Sequence, residues 1–425
     1  MIQMEKKNKI LFWMCLSMII SYLPWYNFSA VLSYISTEFR FSASDTGQII
    51  AAFQCGYVII VLLTGWLSDK IDLKRIIVLS TFLTAVFSTA FVFIAHDKVT
   101  VMVMRMLTGC AAGAIYIPGV TLLSRWFLPS ERGAAMGAYT AALTAAAAGG
   151  YFFAGPIAAA YGWRLGMLCT SVPVFLAVPM LILFVQEAPD IVMDKSTKQD
   201  HGLNDSGVMP APAGGIKGPA AITGAYMGHM WELYAFWAWI GPFMVACASA
   251  AGMKMADAVQ WGSFMAACIT VAGAPAVWLM GKVADKIGRT RTIIICSLSS
   301  LSVGAVFGFL LGKYLIIVVL CGLWIGFWCI ADSAVYKAGL TDMVDAISRG
   351  TFLGIQSALG FGVTIISPIL FGKMLQIFNG NVEPFYATNW GPAFLLLAGG
   401  ALTAPVLAFI LRHLPQARLM SNGKM

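Results

Sequence analysis

The chain has 425 residues, of which 59% are hydrophobic and only 11% are charged, and its formal net charge is +8. A soluble domain carries about 25% charged residues, so this composition excludes an ordinary set of soluble domains. We expect lipid to surround much of the surface. The basic balance is typical of loops on the cytoplasmic side of a membrane, and we expect no nucleic-acid partner.

Apolar stretches long enough to cross a bilayer recur along the whole chain, since a spanning helix needs about 20 mostly apolar residues. The spans are predicted near residues 11–33, 46–67, 76–95, 99–123, 133–158, 165–185, 221–247, 259–280, 291–311, 314–340, 350–374 and 390–412. The predicted fold class is therefore all-α integral membrane, with twelve transmembrane helices.

A polar stretch divides these spans into two groups of six. We predict an N-terminal six-helix bundle at 1–185, a cytoplasmic linker at 186–220, and a C-terminal six-helix bundle with a short tail at 221–425. The linker contains Asp, Lys, Ser, Pro and Gly, a composition typical of flexible chain.

The distribution of Lys and Arg predicts the orientation. With the N-terminus inside, 20 of the 27 basic residues fall in inner segments and six fall in outer ones. Because cytoplasmic loops are enriched in Lys and Arg, both termini are predicted to be cytoplasmic. We expect a multi-pass monomer in a bacterial cytoplasmic membrane.

Two short loop sequences repeat at a constant distance. GWLSDKIDLKR occupies Gly65–Arg75 and GKVADKIGRTR occupies Gly281–Arg291, so that Asp69 and Asp285 are 216 positions apart. Arg132-Gly133 and Arg349-Gly350 repeat at 217 positions. Two landmarks at nearly one spacing indicate a doubled unit, and hence two pseudo-symmetric six-helix bundles.

The repeated loop resembles the motif between helices 2 and 3 of the major facilitator superfamily of transporters. The second copy fits closely except for Thr290, whereas the first has Asp72 where the family has Gly and Leu73 where it has a base. The resemblance implies that the loop carboxylate contacts a helix end and basic residues across the interface between the halves. The residues to which it gives this gating role are Gly65, Asp69, Lys70, Arg75, Gly281, Asp285, Lys286 and Arg289.

The sequence contains no phosphate-binding loop, no His/Cys metal cluster and no nucleophile–base set. We therefore expect neither an enzyme nor a protein with a cofactor or bound metal. Transport would be driven by an ion gradient or by the gradient of the substrate itself.

Three ionisable residues fall within predicted spans, where an isolated charge costs several kcal/mol and indicates function. They are Arg105, Glu232 and Asp332. The resemblance places them on helices 4, 7 and 10, which line the central cavity in that family. Glu232 is our first candidate for carrying a proton and Asp332 the second. The alternative is a structural ion pair between Arg105 and one of these acids.

Aromatic and polar residues on the same set of helices are candidates for substrate contact. The predicted substrate-binding residues are Arg105, Tyr26, Asn27, Tyr116, Trp231, Tyr234, Trp328 and Gln356.

The sequence favours a secondary active transporter that takes up a small organic anion, a carboxylate, together with a proton. Arg105 would supply the positive charge, and a buried acid the coupling. The alternative is a proton-coupled exporter of amphiphilic or cationic compounds, which aromatic rings attract. The helix-5 motif of such exporters is degenerate, because Ala159 and Ala160 replace glycines and Tyr151 stands where a glycine is expected.

Overall fold

The computed structural model describes residues 2–67, 72–127, 129–187, 215–345 and 348–423. Within these ranges, twelve helices are long and apolar enough to cross a membrane. They are α1 (Ile2–Phe39), α2 (Ala43–Leu67), α3 (Leu73–Ile94), α4 (Lys98–Trp126), α5 (Pro129–Tyr161), α6 (Trp163–Phe184), α7 (Lys217–Ala250), α8 (Met255–Ile287), α9 (Arg289–Phe307), α10 (Leu315–Met343), α11 (Arg349–Asn379) and α12 (Gly391–Arg412). All twelve predicted spans are confirmed, and most helices extend a few residues beyond the predicted bounds.

The helices form two six-helix bundles, α1–α6 and α7–α12. The bundles meet along α2 with α11 and along α5 with α8, while α7 packs against helices of both halves. Since twelve antiparallel spans return the chain to the side on which it began, both ends lie on one face. We call it the termini face and the other the opposite face. The all-α fold with two bundles is confirmed.

The predicted linker at 186–220 falls mostly on 188–214, which lie outside the described residues. At its start, Gln186 and Glu187 pack on the first bundle, where the Trp126 indole donates to the Gln186 carbonyl at 2.9 Å. At its end, α7 begins at Lys217, earlier than predicted.

Several spans are interrupted inside the membrane. The helical backbone is broken at Ala114 in α4, at Ala272 in α8 and at Leu402 in α12, three or four residues before a proline. A proline lacks the N–H that would bond to the carbonyl four residues earlier, which explains these breaks. The α10 break at Asp332 is different, because α10 contains no proline.

Small residues bring the two halves together near the opposite face. A Cβ atom on Gly47 would clash with the Pro368 carbonyl, and one on Gly372 with the Ala43 carbonyl. At the termini-face ends of α5 and α11, a Cβ atom on Gly137 or Gly354 would meet no atom of another helix within 4 Å. The halves are therefore closely packed near the opposite face, whereas these two positions toward the termini face are open.

The last described segment, the 3₁₀ helix Pro415–Gly423, packs against the C-terminal bundle. Ala417 and Met420 are fully buried, and the Met420 sulfur lies beside Gly339 of α10. The end of the chain thus belongs to the packed core at the termini face.

Candidate functional site

An aromatic layer fills the contact between the halves. We call it the interface cluster, and its members are Trp25, Tyr26, Tyr57, Tyr151, Tyr234, Trp237 and Phe361. The first four belong to the N-terminal half and the last three to the C-terminal half. Ring centroids lie 5.9 Å apart for Trp25 and Tyr234, and 5.5 Å apart for Tyr57 and Phe361. Every ring is buried.

Two of the predicted substrate-binding residues, Tyr26 and Tyr234, lie in this cluster. The Tyr26 hydroxyl and the Trp237 indole N–H are buried without a hydrogen-bond partner among the described residues. Leaving such a group unpaired costs about 1–3 kcal/mol, so unpaired groups mark places where a ligand can bind. The interface cluster therefore combines flat apolar faces with free hydrogen-bonding atoms.

Tyr151 crosses the interface and was not among the predicted site residues. Its hydroxyl donates to the Trp237 carbonyl at 2.6 Å, and its ring packs against Gly241 of α7. The sequence contained one signal, since a tyrosine occupies a position where the exporter motif has glycine. The structure gives this departure a role in joining α5 to α7.

We expect Tyr151→Phe to weaken the contact between the halves, because it removes one cross-interface hydrogen bond worth about 1 kcal/mol. That loss would change the ratio of closed to open opposite face about fivefold. Spin labels at exposed Tyr161 and Lys313, on a cysteine-free background, would report the distance across that face. Thr144→Val, which removes a hydroxyl bonded within α5, is the control. An unchanged distance distribution in Tyr151→Phe would contradict the prediction.

Arg105 lies directly behind the interface cluster. Its guanidinium donates to the carbonyls of Pro24 at 3.1 Å and Trp25 at 3.2 Å. It also lies between two rings, 4.7 Å from the Phe28 centroid and 4.5 Å from that of Phe53. No carboxylate pairs with it among the described residues, so the alternative of an ion pair with Glu232 or Asp332 is not found there. Its Nε atom is buried and unpaired.

The other predicted substrate-binding residues bond outside the interface cluster, although Tyr116 lies near its members Tyr57 and Tyr234. Asn27 donates to Thr170 at 2.9 Å inside the first bundle, and Tyr116 bonds Thr140 at 2.9 Å between α4 and α5. Trp231 donates to the Leu397 carbonyl of α12. Trp328 packs on Trp324 and Phe327 among residues of α8 to α10. The structure does not bring these four residues together.

The two predicted acids point into the C-terminal bundle instead of toward the interface cluster. Glu232 accepts a hydrogen bond from Ser300 of α9 at 2.6 Å, and it borders a cavity of about 10 Å³ that could hold one water molecule. Asp332 lies at the α10 break and is only 2% exposed. The two acids thus lie inside the C-terminal bundle. We had expected them to face a central cavity shared by the two halves.

Asp332 has a partner that was not among the predicted site residues. The Nδ1 atom of His229 lies 2.9 Å from its Oδ1, and both side chains are 3% exposed. Tyr336 donates to Oδ2 of Asp332 at 2.8 Å, and Gln356 donates to the Tyr336 carbonyl at 3.5 Å. The sequence contained one signal for this partner. His229 and Glu232 are three residues apart, so their side chains are neighbours on the surface of α7.

A groove of about 720 Å³ lies between α5 and α8 on the outside of the bundle. Its walls include Phe152, Phe153, Trp261 and Phe264, of which three have exposed rings that face lipid in a membrane. None of the predicted site residues that the structure describes lines it.

A family model described as Major Facilitator Superfamily matches residues 14–261, more than half of the sequence. The chain belongs to the major facilitator superfamily. It is a multi-pass membrane transporter and not an enzyme.

Similar proteins agree with this assignment. A hexuronate transporter of Bacillus subtilis (strain 168) is 23% identical over 412 residues, which are 96% of this chain and 94% of that protein. A probable sulfoacetate transporter of Cupriavidus necator is 26% identical over 135 residues, 32% of this chain and 31% of the relative. A solved bacterial homologue of the human lysosomal transporter Spinster, inward-facing and occupied, has a TM-score of 0.75 at 14% identity and covers 96% of this chain and 97% of its own.

The superfamily loop motif is only partly within the described residues. Asp69 and Lys70 lie outside them, and for Gly65 only the helical backbone of α2 is described. Arg75 is exposed and pairs with Asp72 at 3.1 Å. Asp72 caps α3 by accepting from the Arg75 N–H. In the first copy, the position at which the family has glycine is therefore occupied by an acidic residue that caps α3.

In the second copy the motif residues form contacts inside their own half. Arg289 donates to Asp285 at 2.7 Å and lies 3.5 Å from Asp342 at the end of α10. Gly288 has φ +104°, a conformation that favours glycine, while Lys286 is exposed and Gly281 has open space around it. These contacts join α8, α9 and α10, and the cross-interface role of the motif stays a prediction.

Near the first copy, Glu187 accepts from the Lys74 backbone N–H at 2.8 Å, and thus ties the end of α6 to the start of α3. Burial raises the pKa of the Glu187 carboxyl, and the nearby Asp72 adds to this rise. The carboxyl holds its proton to a higher pH than an exposed glutamate would.

Proposed function

We propose that the chain takes up a small organic anion, a carboxylate, together with a proton by alternating access. It would act as a monomer in a bacterial cytoplasmic membrane, with both termini in the cytoplasm. The observation that carries the proposal is the buried charge of Arg105, which no carboxylate neutralises among the described residues. Carbonyl oxygens solvate this charge without cancelling it.

An anion at the interface cluster would satisfy the groups that are left unpaired. Arg105 Nε and the Tyr26 hydroxyl are both buried without partners, and the guanidinium bonds the backbone of Trp25, next to Tyr26. A carboxylate accepts charge-assisted hydrogen bonds, which are about twice as strong as neutral ones. The full-length similarity to a hexuronate transporter supports the same chemical class, and a sugar acid would also place hydroxyls near the tyrosines.

The structure offers less support for the export of cations. A cation site at the interface would need an acid there, but Glu232 and Asp332 bond to Ser300 and His229 within the C-terminal bundle. We therefore retain anion uptake as the proposal and treat dye efflux as the outcome that would replace it.

The direct test is uptake of radiolabelled D-glucuronate, a hexuronate, into proteoliposomes. We expect accumulation that is stimulated by an inward proton gradient and abolished by a protonophore. Empty liposomes and liposomes with excess unlabelled glucuronate are the controls. Failure to take up a panel of carboxylates, together with efflux of a cationic dye, would overturn the proposal.

We expect Glu232→Gln to reduce gradient-driven uptake about tenfold while counterflow exchange continues, because the amide keeps the size of the side chain but cannot release a proton. Proton movement per substrate would be measured with a pH-sensitive dye inside the vesicles. Asp257→Asn, an exposed position at the opposite face, is the matched control. An unchanged proton-to-substrate ratio in Glu232→Gln would remove Glu232 from the coupling mechanism.

A further inference from the structure

The break in α10 at Asp332 needs a cause other than proline. At this point α10 divides into Leu315–Ala331 and Ser333–Met343, and Asp332 has φ −93° and ψ 0°. A helix without proline breaks where a side chain competes for its hydrogen bonds or holds the two parts apart. Both residues at the break bond to the same side chain of another helix.

That side chain is His229 of α7. Its Nδ1 atom contacts the Asp332 carboxylate at 2.9 Å, and its Nε2 atom contacts the Ser333 hydroxyl at 2.8 Å. In the neutral imidazole one nitrogen donates and the other accepts, so the arrangement fits Nδ1–H donating to Asp332 and Nε2 accepting from Ser333. His229 therefore holds both sides of the break at once.

The surroundings of the pair contain groups that bind protons or donate hydrogen bonds on each neighbouring helix. On α7 the Tyr226 ring lies 6.1 Å from His229, and Glu232 is one turn away. Cys296 and Ser297 of α9 face Asp332, and Ser297 donates to it at 3.3 Å. The α10 members are Cys329 and Tyr336, and α11 contributes Gln356 through the Tyr336 carbonyl. Among the described residues no Lys or Arg forms an ion pair with Asp332.

We propose that His229 and Asp332 form one proton-binding site, and that its occupancy sets the geometry of the α10 break. A proton that arrives at Nε2 converts a neutral imidazole beside a carboxylate into an imidazolium–carboxylate pair. The Ser333 hydroxyl must then rotate from donor to acceptor. The net charge of the site changes from −1 to zero, which lowers the cost of keeping it buried while the halves move.

The site reaches the interface cluster through α11. The Tyr226 ring stacks beside His229 and packs against Gly360, where a Cβ atom would clash with it. The next residue, Phe361, contacts Tyr234 in the same half and Tyr57 across the interface. A rearrangement at His229 can thus displace Tyr226 against α11 and reach the rings where the substrate would bind. This link to uptake rests on the proposed function, whereas the proton site itself does not.

Histidine-selective ¹⁵N NMR of the purified full-length protein in detergent tests the proton site without any substrate. Single variants of the four histidines assign the signals in spectra recorded from about pH 5 to pH 8, and we expect the His229 nitrogens to gain a proton as the pH falls. In Asp332→Asn the imidazolium signals of His229 should be weaker, because the carboxylate that stabilises the imidazolium is gone. A His229 signal that stays in one protonation state over this range, in both proteins, would overturn the proposal.

Transport tests the coupling separately. With D-glucuronate as the probe, we expect His229→Asn to reduce gradient-driven uptake about tenfold while counterflow exchange continues. The control is His413→Asn at the termini face, for which we expect both activities to be unchanged. Equal losses of uptake and exchange would contradict a role in coupling.

If wild-type vesicles take up no carboxylate, the proposed function fails, while the NMR titration still decides the proton site. Should His229→Asn fail to fold, the other three variants assign its signal by difference.

Discussion

Arg105→Ala is expected to lower the affinity for the carboxylate substrate by about 10- to 100-fold, equivalent to about 1.4–2.8 kcal/mol. The reason is that the variant removes an uncompensated positive charge next to the interface cluster. It also frees the carbonyls of Pro24 and Trp25, which the guanidinium bonds now. Equilibrium binding of labelled D-glucuronate to the detergent-purified protein measures the effect.

One further variant separates charge from shape at this position, and a second variant elsewhere is the control. Arg105→Lys keeps the charge but cannot bond two carbonyls with a planar fork, so we expect an intermediate affinity. Arg164→Ala removes an exposed arginine that pairs with Glu38 at the opposite face, and it should bind like the wild type. Wild-type affinity in Arg105→Ala would exclude Arg105 from substrate recognition.

Gly109→Val is expected to prevent stable folding of the N-terminal bundle. A Cβ atom at Gly109 would clash with the Phe53 carbonyl of α2, and one at Gly56 with the Met106 carbonyl of α4. Helices in lipid associate through close packing, so separating these two backbones loses contacts along the whole crossing. Overpacking a well-packed contact typically costs about 1–3 kcal/mol, and Val adds three carbons where even one would clash with backbone. The thermal melting temperature and the monodisperse yield in detergent report the loss.

The matched control is Gly354→Val on α11. Nothing lies within 4 Å of a Cβ atom there, so the same substitution changes helix propensity without a clash. We expect it to be purified in near wild-type yield. Equal melting temperatures for the two variants would show that the α2–α4 crossing tolerates separation.

The fold could be predicted from the sequence because membrane spans are recorded in local composition. Twelve apolar stretches were enough to predict the twelve spans, since every span needs the same minimum length. The two repeated loops were enough to predict two bundles. The breaks in α8 and α12 follow from Pro275 and Pro405, which the sequence contains. The break at Asp332 could not be predicted, because it depends on His229, more than 100 residues away in the chain.

The site was harder to predict because a helix position does not reveal which neighbour a side chain meets. Tyr26, Tyr234 and Trp231 were all predicted to contact substrate. The structure places the two tyrosines in the interface cluster, but Trp231, three residues before Tyr234, turns toward α12. Glu232 turns toward α9. The sequence shows Tyr151 only as a departure from the exporter motif, whereas in the structure it bonds to the Trp237 carbonyl. Other residues surround most of α7, in which 27 of 34 residues are buried, so periodicity did not reveal which face of the helix meets which neighbour.

The buried 3₁₀ segment Pro415–Gly423 has a practical consequence for how the protein is handled. Since Ala417 and Met420 fill space beneath α10, an affinity tag joined shortly after residue 412 would replace core side chains. Fusion partners or detection epitopes are better attached beyond Gly423. A shortened version that ends at the last span should be purified in lower yield and be more readily cleaved by protease.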